Sequence, residues 1–231
     1  MKQLILLPFF FLLMVSTNAQ QINRMDSNGK KQGKWVKKYS NGAIRYTGFF
    51  IDNNPIDTFR YFFPTGKLKA VSVYSHNGEV VYTKTFYING KPMAKGKFIN
   101  KKKDSIWTFY NQSNGKKVSQ ENYHLGKKNG KSIIYFPENE KPAIQTTYLN
   151  GKKNGKWIRY YSSGTLQTVG FYINDTLNGK FISYFLNGKV QLKGQYKKGL
   201  QNGTWITYDT TGKIVSKKYF LHGIPKEIKQ K

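Results

Sequence analysis

The sequence contains no cysteine, and only 11 of its 231 residues are acidic. Without cysteine there can be no disulfide, no thiolate metal ligand, no lipid anchor on cysteine and no cysteine nucleophile. The few carboxylates form no repeated pair that could act as acid and base. The three histidines, His76, His124 and His222, lie far apart in sequence, so no metal site is expected. We therefore predict a protein that is not an enzyme and that needs no cofactor.

Arginine is also scarce, because only four of the 39 basic residues are Arg. The formal net charge is nevertheless +28, and nearly all of it comes from lysine. Arginine forms paired hydrogen bonds to phosphates, whereas lysine acts as a hydrated point charge. The charge thus predicts general attraction to anionic surfaces rather than specific nucleic-acid recognition.

Long apolar runs are absent except at the N-terminus, where residues 4–15 are uninterrupted. Lys2 precedes this run, and small residues follow it at Thr17 and Ala19. This pattern is typical of a secretory signal peptide, here residues 1–19, that is cleaved before Gln20. The run is shorter than the ~20 residues that a membrane span needs. We expect export to the periplasm, cell surface or medium, with no transmembrane segment after cleavage.

Aromatic residues are abundant at 16% of the chain, and they recur at regular intervals. Triplets equivalent to Gly155-Lys156-Trp157 follow one another at intervals of 24 or 25 residues, with one double interval near Val81. Each unit contains an internal turn with glycine, replaced by Glu140 in the fifth unit. An aromatic residue follows eight positions after each turn: Phe50, Tyr74, Phe98, Tyr123, Tyr148, Tyr172, Tyr196 and Phe220.

Turn residues between β-rich segments predict that each unit is a hairpin. Trp157 and Ile158 would point to opposite faces of a strand, so both faces carry apolar groups. An isolated hairpin is marginally stable, and stacking is therefore required. We predict an all-β fold, an elongated single-layer twisted antiparallel sheet of about eight stacked hairpins. The repeat array would span residues 28–223, between an N-terminal cap at 20–27 and a C-terminal cap at 224–231.

The unit Gly179-Lys180-Phe181-Ile182-Ser183-Tyr184, followed by Asn187-Gly188, resembles the MORN repeat, and most closely its bacterial variant. The resemblance covers nearly all of the array, although the second to fourth units depart from the pattern at Asp57, near Val81 and at residues 101–103. It implies a long curved sheet with a groove. Bacterial members of this group are often labelled as antitoxins of toxin–antitoxin pairs.

Candidate binding residues fall into two sets. Trp35, Trp107, Trp157 and Trp205 occupy one repeat position and form either a packed core or a row of aromatic platforms. Arg159 lies between the aromatics at a position that varies from unit to unit, as expected of a residue that lines a groove. Lysines concentrate in turns and predict a basic ridge along one edge: Lys101, Lys102, Lys103, Lys127, Lys128, Lys152 and Lys153. This ridge would either prevent edge-to-edge aggregation or contact an anionic envelope surface.

Three functions are compatible with these features. The first is an exported scaffold that binds a protein partner or an anionic envelope surface. The second is an antitoxin or immunity protein that occludes a toxin. The third is a glycan-binding module that uses the tryptophan row. Binding that survives high salt and requires Trp157 would favour it, whereas salt-labile binding would indicate the lysine ridge, because salt screens the lysines.

Overall fold

A computed structural model describes residues 21–227 of the chain as a single open sheet of 20 strands. All neighbouring strands pair in the antiparallel sense, and consecutive strands are neighbours. The predicted fold class is confirmed. The predicted signal peptide, residues 1–19, and the last four residues, 228–231, lie outside the described residues.

Sixteen strands are long, and they belong to eight consecutive hairpin units. The strands are β1 (Arg24–Met25), β2 (Lys31–Lys38), β3 (Ile44–Ile51), β4 (Asn54–Phe62), β5 (Leu68–Ser75), β6 (Val80–Phe86), β7 (Pro92–Ile99), β8 (Lys102–Tyr110), β9 (Lys117–His124), β10 (Lys127–Tyr135), β11 (Pro142–Leu149), β12 (Lys152–Tyr160), β13 (Leu166–Ile173), β14 (Thr176–Leu177), β15 (Gly179–Tyr184), β16 (Val190–Lys197), β17 (Leu200–Gln201), β18 (Gly203–Tyr208), β19 (Ile214–Leu221) and β20 (Ile224–Lys226). A single 3-10 turn, His76–Gly78, connects β5 to β6.

Each unit has a first strand, an inner turn, a second strand and an outer turn that leads to the next unit. In the sixth unit these strands are β12 and β13. In the seventh and eighth units the first strand is interrupted, by Asn178 between β14 and β15 and by Asn202 between β17 and β18. At the ends of the array, β1 pairs with β2 and β20 pairs with β19.

The inner turns need one residue with positive φ, as the glycine pattern indicates. Gly164 has φ +99°, and its N–H donates to the carbonyl of Tyr161 at 2.8 Å. Glu140, which stands at this position in the fifth unit, also has a positive φ of 54°. An L-residue in this region carries a conformational cost. Glu140 offsets it in part, because its Oε1 accepts from the N–H of Lys117 in the preceding unit at 2.7 Å.

The glycine that begins the triplet Gly155-Lys156-Trp157 has a different function, because it forms a β-bulge. Gly155 has φ +102°, and the pairing of β11 with β12 shifts register beside it. Asp57 and Ser105 keep this conformation without being glycine, at φ +54° and +58°. Only the third unit pairs with its predecessor without a shift, since β5 and β6 stay in register and Val81 occupies the position.

Successive inner turns are joined by asparagine side chains. Asn139 Oδ1 accepts from the N–H of Lys141 in its own turn, and its Nδ2 donates to the carbonyl of Ser162 in the next turn, both at 2.9 Å. Asn41, Asn89 and Asn187 make the same pair of bonds. These four residues belong to the first, third, fifth and seventh units. The asparagines thus join the inner turns in pairs of units, and the bond from Lys117 to Glu140 joins the fourth unit to the fifth.

Candidate binding surface

The register of the strands assigns every interior residue to one of two faces. Residues that pair across strands share a face, and neighbours along a strand lie on opposite faces. We call the face that carries Trp35, Trp107, Trp157 and Trp205 the tryptophan face. The face that carries Val36 and Ile158 is called the opposite face.

Two of the four tryptophans are core residues of the tryptophan face. Trp107 and Trp205 are each only 3% exposed, whereas Trp35 and Trp157 are half-buried. Trp107 Nε1 donates to the carbonyl of Lys97 at 3.0 Å, and its ring meets that of Phe98 edge-on at 4.7 Å. The burial of Trp107 and Trp205 leaves them little surface for a ligand.

Glycine in the preceding second strand makes this burial possible. A Cβ atom on Gly96 would lie 2.3 Å from the ring of Trp107, and one on Gly194 would lie 2.3 Å from the ring of Trp205. A Cβ atom on Gly48 would lie 2.5 Å from the ring of Phe59. No side chain fits at such distances, so each ring lies directly on the backbone of the strand before it.

Trp157 packs in the other direction, towards its own unit. Its neighbour in the preceding strand is Thr146 rather than glycine, and Thr146 is buried. A Cβ atom on Gly170 would lie 3.2 Å from the Trp157 ring, and the ring meets Tyr172 edge-on at 5.9 Å. Trp35 has the same relation to Phe50 in its own unit, again at 5.9 Å.

The aromatic row is interrupted in the third and fifth units, where Thr83 and Ser132 stand in place of the ring. Thr83 pairs with Ser72, and their hydroxyl oxygens are 3.0 Å apart in a hydrogen bond. Ser132 lies beside Glu121, whose carboxylate contacts the Lys128 amine at 3.0 Å. In these two units a polar residue, Ser72 or Glu121, occupies the position that glycine holds before the buried rings. The Ser132 hydroxyl has no hydrogen-bond partner within residues 21–227.

The turn lysines divide into two groups. Lys101, Lys102, Lys127 and Lys152 are exposed at the outer turns. The second group lies on the tryptophan face and is partly buried: Lys103, Lys128 and Lys153. The amine of each of these lysines lies above an aromatic ring. The distances to the ring centroids are 4.8 Å from Lys103 to Trp107, 5.3 Å from Lys128 to Tyr148 and 5.1 Å from Lys153 to Tyr172. Such cation–π contacts stabilise the array and leave the first group available to solvent.

Asp104 is a buried carboxylate at the bulge of the fourth unit. It lies 3.5 Å from Lys97 Nζ and 3.4 Å from His124 Nδ1, and it accepts from Ser105 Oγ and the Leu125 N–H. Burial alone would raise the pKa of Asp104, but these hydrogen bonds and the charge of Lys97 outweigh it and lower the pKa. The contacts join three consecutive strands at one point.

The opposite face carries aliphatic and basic residues but almost no acidic ones. One unbroken row crosses all sixteen long strands: Val36, Thr47, Arg60, Val71, Lys84, Lys95, Thr108, Gln120, Ile133, Gln145, Ile158, Val169, Ile182, Lys193, Ile206 and Lys217. Five members of the row are basic and none is acidic. The carboxylates of the chain lie mainly in turns and bulges, so this face is positive along its length.

A groove of about 650 Å³ lies on the opposite face, across the second to fourth units. It is lined by Val71, Val73, Tyr82, Thr83, Lys84, Lys95, Gly96, Lys97, Ser105, Ile106, Thr108 and Gln120. None of the residues that we proposed from the sequence lines it. The alternation of side chains along each strand could have identified this groove, because the residues directly before and after each ring position lie on the opposite face.

Arg159, the remaining sequence candidate, is exposed on the tryptophan face. It pairs with Thr168 and lies two positions from Trp157 along β12. Among residues 21–227 no three histidine, cysteine or acidic side chains lie close enough to hold a metal ion. The same residues contain no helix that is both long and apolar enough to cross a membrane.

Comparison with known families identifies the last three units of the array. A family model described as MORN repeat variant matches residues 153–174, 177–198 and 201–222. Residues 153–222 are three consecutive MORN repeats. Each matched segment begins in a first strand and ends in an outer turn. The five preceding units, which the family model does not match, have the same order of strands and turns.

MORN repeats are generally non-catalytic modules that bind proteins or membranes. No curated protein matches this chain. Sixty-four chains of solved structures match it. One of them, "Crystal Structure of TarM", is 21% identical over 42% of this chain and 19% of that one, with a TM-score of 0.31. The aligned region thus spans about a fifth of that protein, and the likeness is too weak to carry function.

Proposed function

We propose that this MORN-repeat protein is an exported, non-catalytic scaffold that binds an anionic partner through the opposite face of its sheet. The observation that carries the proposal is the row from Val36 to Lys217, which consists of aliphatic, basic and uncharged polar residues and contains no carboxylate. Exposed apolar patches with a polar rim mark interaction sites on protein surfaces, and an excess of positive charge favours an anionic partner. The partner is a protein or an anionic surface of the cell envelope.

Export is part of this proposal and rests on the sequence of residues 1–19. Expression of the full chain in a bacterial host, followed by mass spectrometry of the protein from each cell fraction, tests it. We expect a mature N-terminus at Gln20 outside the cytoplasm. An unprocessed chain that stays in the cytoplasm would contradict export but would leave the binding surface unaffected.

Binding is tested by affinity capture from envelope fractions with the processed protein, washed first at low and then at high salt. We expect a stoichiometric partner that remains at high salt, because apolar contacts are not screened. Release of all bound material by salt would show that net charge alone causes the binding. It would also leave the exposed aliphatic residues of the opposite face without a function.

An immunity function, in which the protein occludes a toxin, requires the same surface and differs in the partner. Capture of one secreted toxin with loss of its activity would support this alternative. The tryptophan face is the weaker candidate for a glycan site, since Trp107 and Trp205 are buried.

A further inference from the structure

The groove on the opposite face departs from the sequence pattern of the other units, and the packing of the core does not require this difference. In the first, fifth, sixth and seventh units the residue before the ring position is a lysine and the residue after it is aliphatic, as in Lys156-Trp157-Ile158. In the third unit the order is reversed, with Tyr82 before Thr83 and Lys84 after it. In the fourth unit Ile106 replaces the lysine before Trp107.

This exchange places apolar groups together in the groove and leaves them exposed. Tyr82 is 57% exposed, Ile106 is 55% exposed and Val73 is 42% exposed. The register pairs Val73 with Tyr82, so two of these side chains are cross-strand neighbours. Unlike the ring positions, these residues contribute little to the core, and an exposed cluster of this kind indicates a binding site.

Positive charge surrounds the apolar cluster. Lys84 and Lys95 pair across β6 and β7, are both exposed, and form no ion pair within residues 21–227. Lys97 lines the same groove and is neutralised by Asp104 at 3.5 Å. The groove therefore offers two unpaired ammonium groups beside an apolar floor.

We propose that this groove binds an acidic polypeptide segment with apolar side chains. This inference rests on the proposed function and specifies the class of its partner. Apolar side chains of the segment contact Tyr82, Ile106 and Val73, while its carboxylates pair with Lys84 and Lys95. A flat bilayer contacts protruding groups, whereas these side chains line a depression. Nucleic acid favours arginine and stacking platforms, and the groove has no arginine and a single aromatic ring.

The test is a fluorescence titration of the full processed protein with a labelled peptide of glutamate and leucine residues spaced by glycine and serine. Peptides of equal length without leucine, or with lysine in place of glutamate, serve as controls. Vesicles of phosphatidylglycerol and phosphatidylcholine form a separate arm. We expect the glutamate–leucine peptide to bind about tenfold more tightly than either control peptide at low salt, equivalent to ~1.4 kcal/mol. Part of its affinity should remain at high salt, because apolar contacts are not screened.

Matched variants locate the binding. Lys84→Glu with Lys95→Glu should weaken peptide binding by about tenfold or more. Lys127→Glu with Lys152→Glu makes the same change in net charge at the exposed outer turns and should have little effect. Tyr82→Ser with Ile106→Ser should also weaken binding, and circular dichroism should show that all variants remain folded.

Three outcomes would overturn the proposal: no binding of the glutamate–leucine peptide, equal losses in the two lysine pairs, or binding to vesicles alone. If a captured envelope partner is insensitive to Lys84→Glu with Lys95→Glu, the scaffold function stands and this site does not. If no partner is captured but the peptide binds the groove, the site stands and the broader function fails.

Discussion

The two faces of the sheet are built from the same strands but differ in what they bury. On the tryptophan face, rings lie on glycine backbones and the lysine amines lie above rings. On the opposite face, aliphatic and lysine side chains lie together, Asp104 beside Lys97 is a rare counter-charge, and several large apolar groups stay exposed. In a single-layer sheet, one face can supply most of the stability, which leaves the other free to vary for recognition.

Removal of a buried ring should have the largest effect on stability. Trp107→Ala is expected to lower the free energy of unfolding by about 3–5 kcal/mol, because it leaves a cavity against Gly96 and Phe98. Trp35→Ala should cost clearly less, since Trp35 is half-buried at the end of the array. Urea unfolding followed by circular dichroism measures both, and equal losses would contradict the distinction between core and peripheral tryptophans.

The glycines beneath the rings should come next. Gly96→Ala places a methyl group 2.3 Å from the Trp107 ring, and we expect a loss of about 2–3 kcal/mol from overpacking. Gly170→Ala is the matched control, because its Cβ would lie 3.2 Å from Trp157 and a small shift accommodates it. Thermal unfolding of the two variants gives the comparison. A tolerated Gly96→Ala would refute the direct stacking of ring on backbone.

Most of this architecture could be predicted from sequence, and the reasons are local. The spacing of Gly164, Gly188 and their equivalents predicts the turns, because positive φ selects glycine. The β-bulge at the start of the ring triplet could not be predicted from glycine alone, because Asp57 and Ser105 adopt positive φ at that position without being glycine. A groove was expected from the family resemblance, but its position could not be predicted, because it depends on the register across the third unit, where no bulge occurs and the ring position is Thr83.

The lysine pairs were predicted as one ridge, and the structure divides them. Alternation along β8, β10 and β12 sends one lysine of each pair to the edge and the other over a ring. Sequence spacing could place these residues at a turn. It could not show that the side chains of Lys103, Lys128 and Lys153 fold back over neighbouring rings, which depends on cross-strand distances.

Asp104 should give the stability a dependence on acid pH. Its pKa is below the ordinary value of 3.8, so the unfolded chain binds more protons as the pH falls through this range. The stabilisation is therefore complete above about pH 4 and is lost below it. Asp104→Asn should cost about 1 kcal/mol at neutral pH. The difference from wild type should shrink below pH 4, and a constant difference across pH would contradict this account.

The smallest effect is expected at the inner turns. Asn139→Ala removes one bond within its turn and one to the next unit, and should cost about 0.5 kcal/mol because both bonds are exposed to water. Ser163→Ala is the control, because the Ser163 hydroxyl bonds only within its own turn. Chemical denaturation should show the smaller loss for Ser163→Ala. Equal losses would mean that the bonds between turns add nothing to stability.

The central claim is that stability and recognition reside on separate faces. It is tested most directly by measuring unfolding and peptide affinity together for Trp157→Ala and Tyr82→Ala. The account predicts that Trp157→Ala lowers stability and leaves affinity unchanged, while Tyr82→Ala weakens affinity and leaves the free energy of unfolding nearly unchanged. Loss of affinity in Trp157→Ala with full affinity in Tyr82→Ala would place recognition on the tryptophan face and contradict the account.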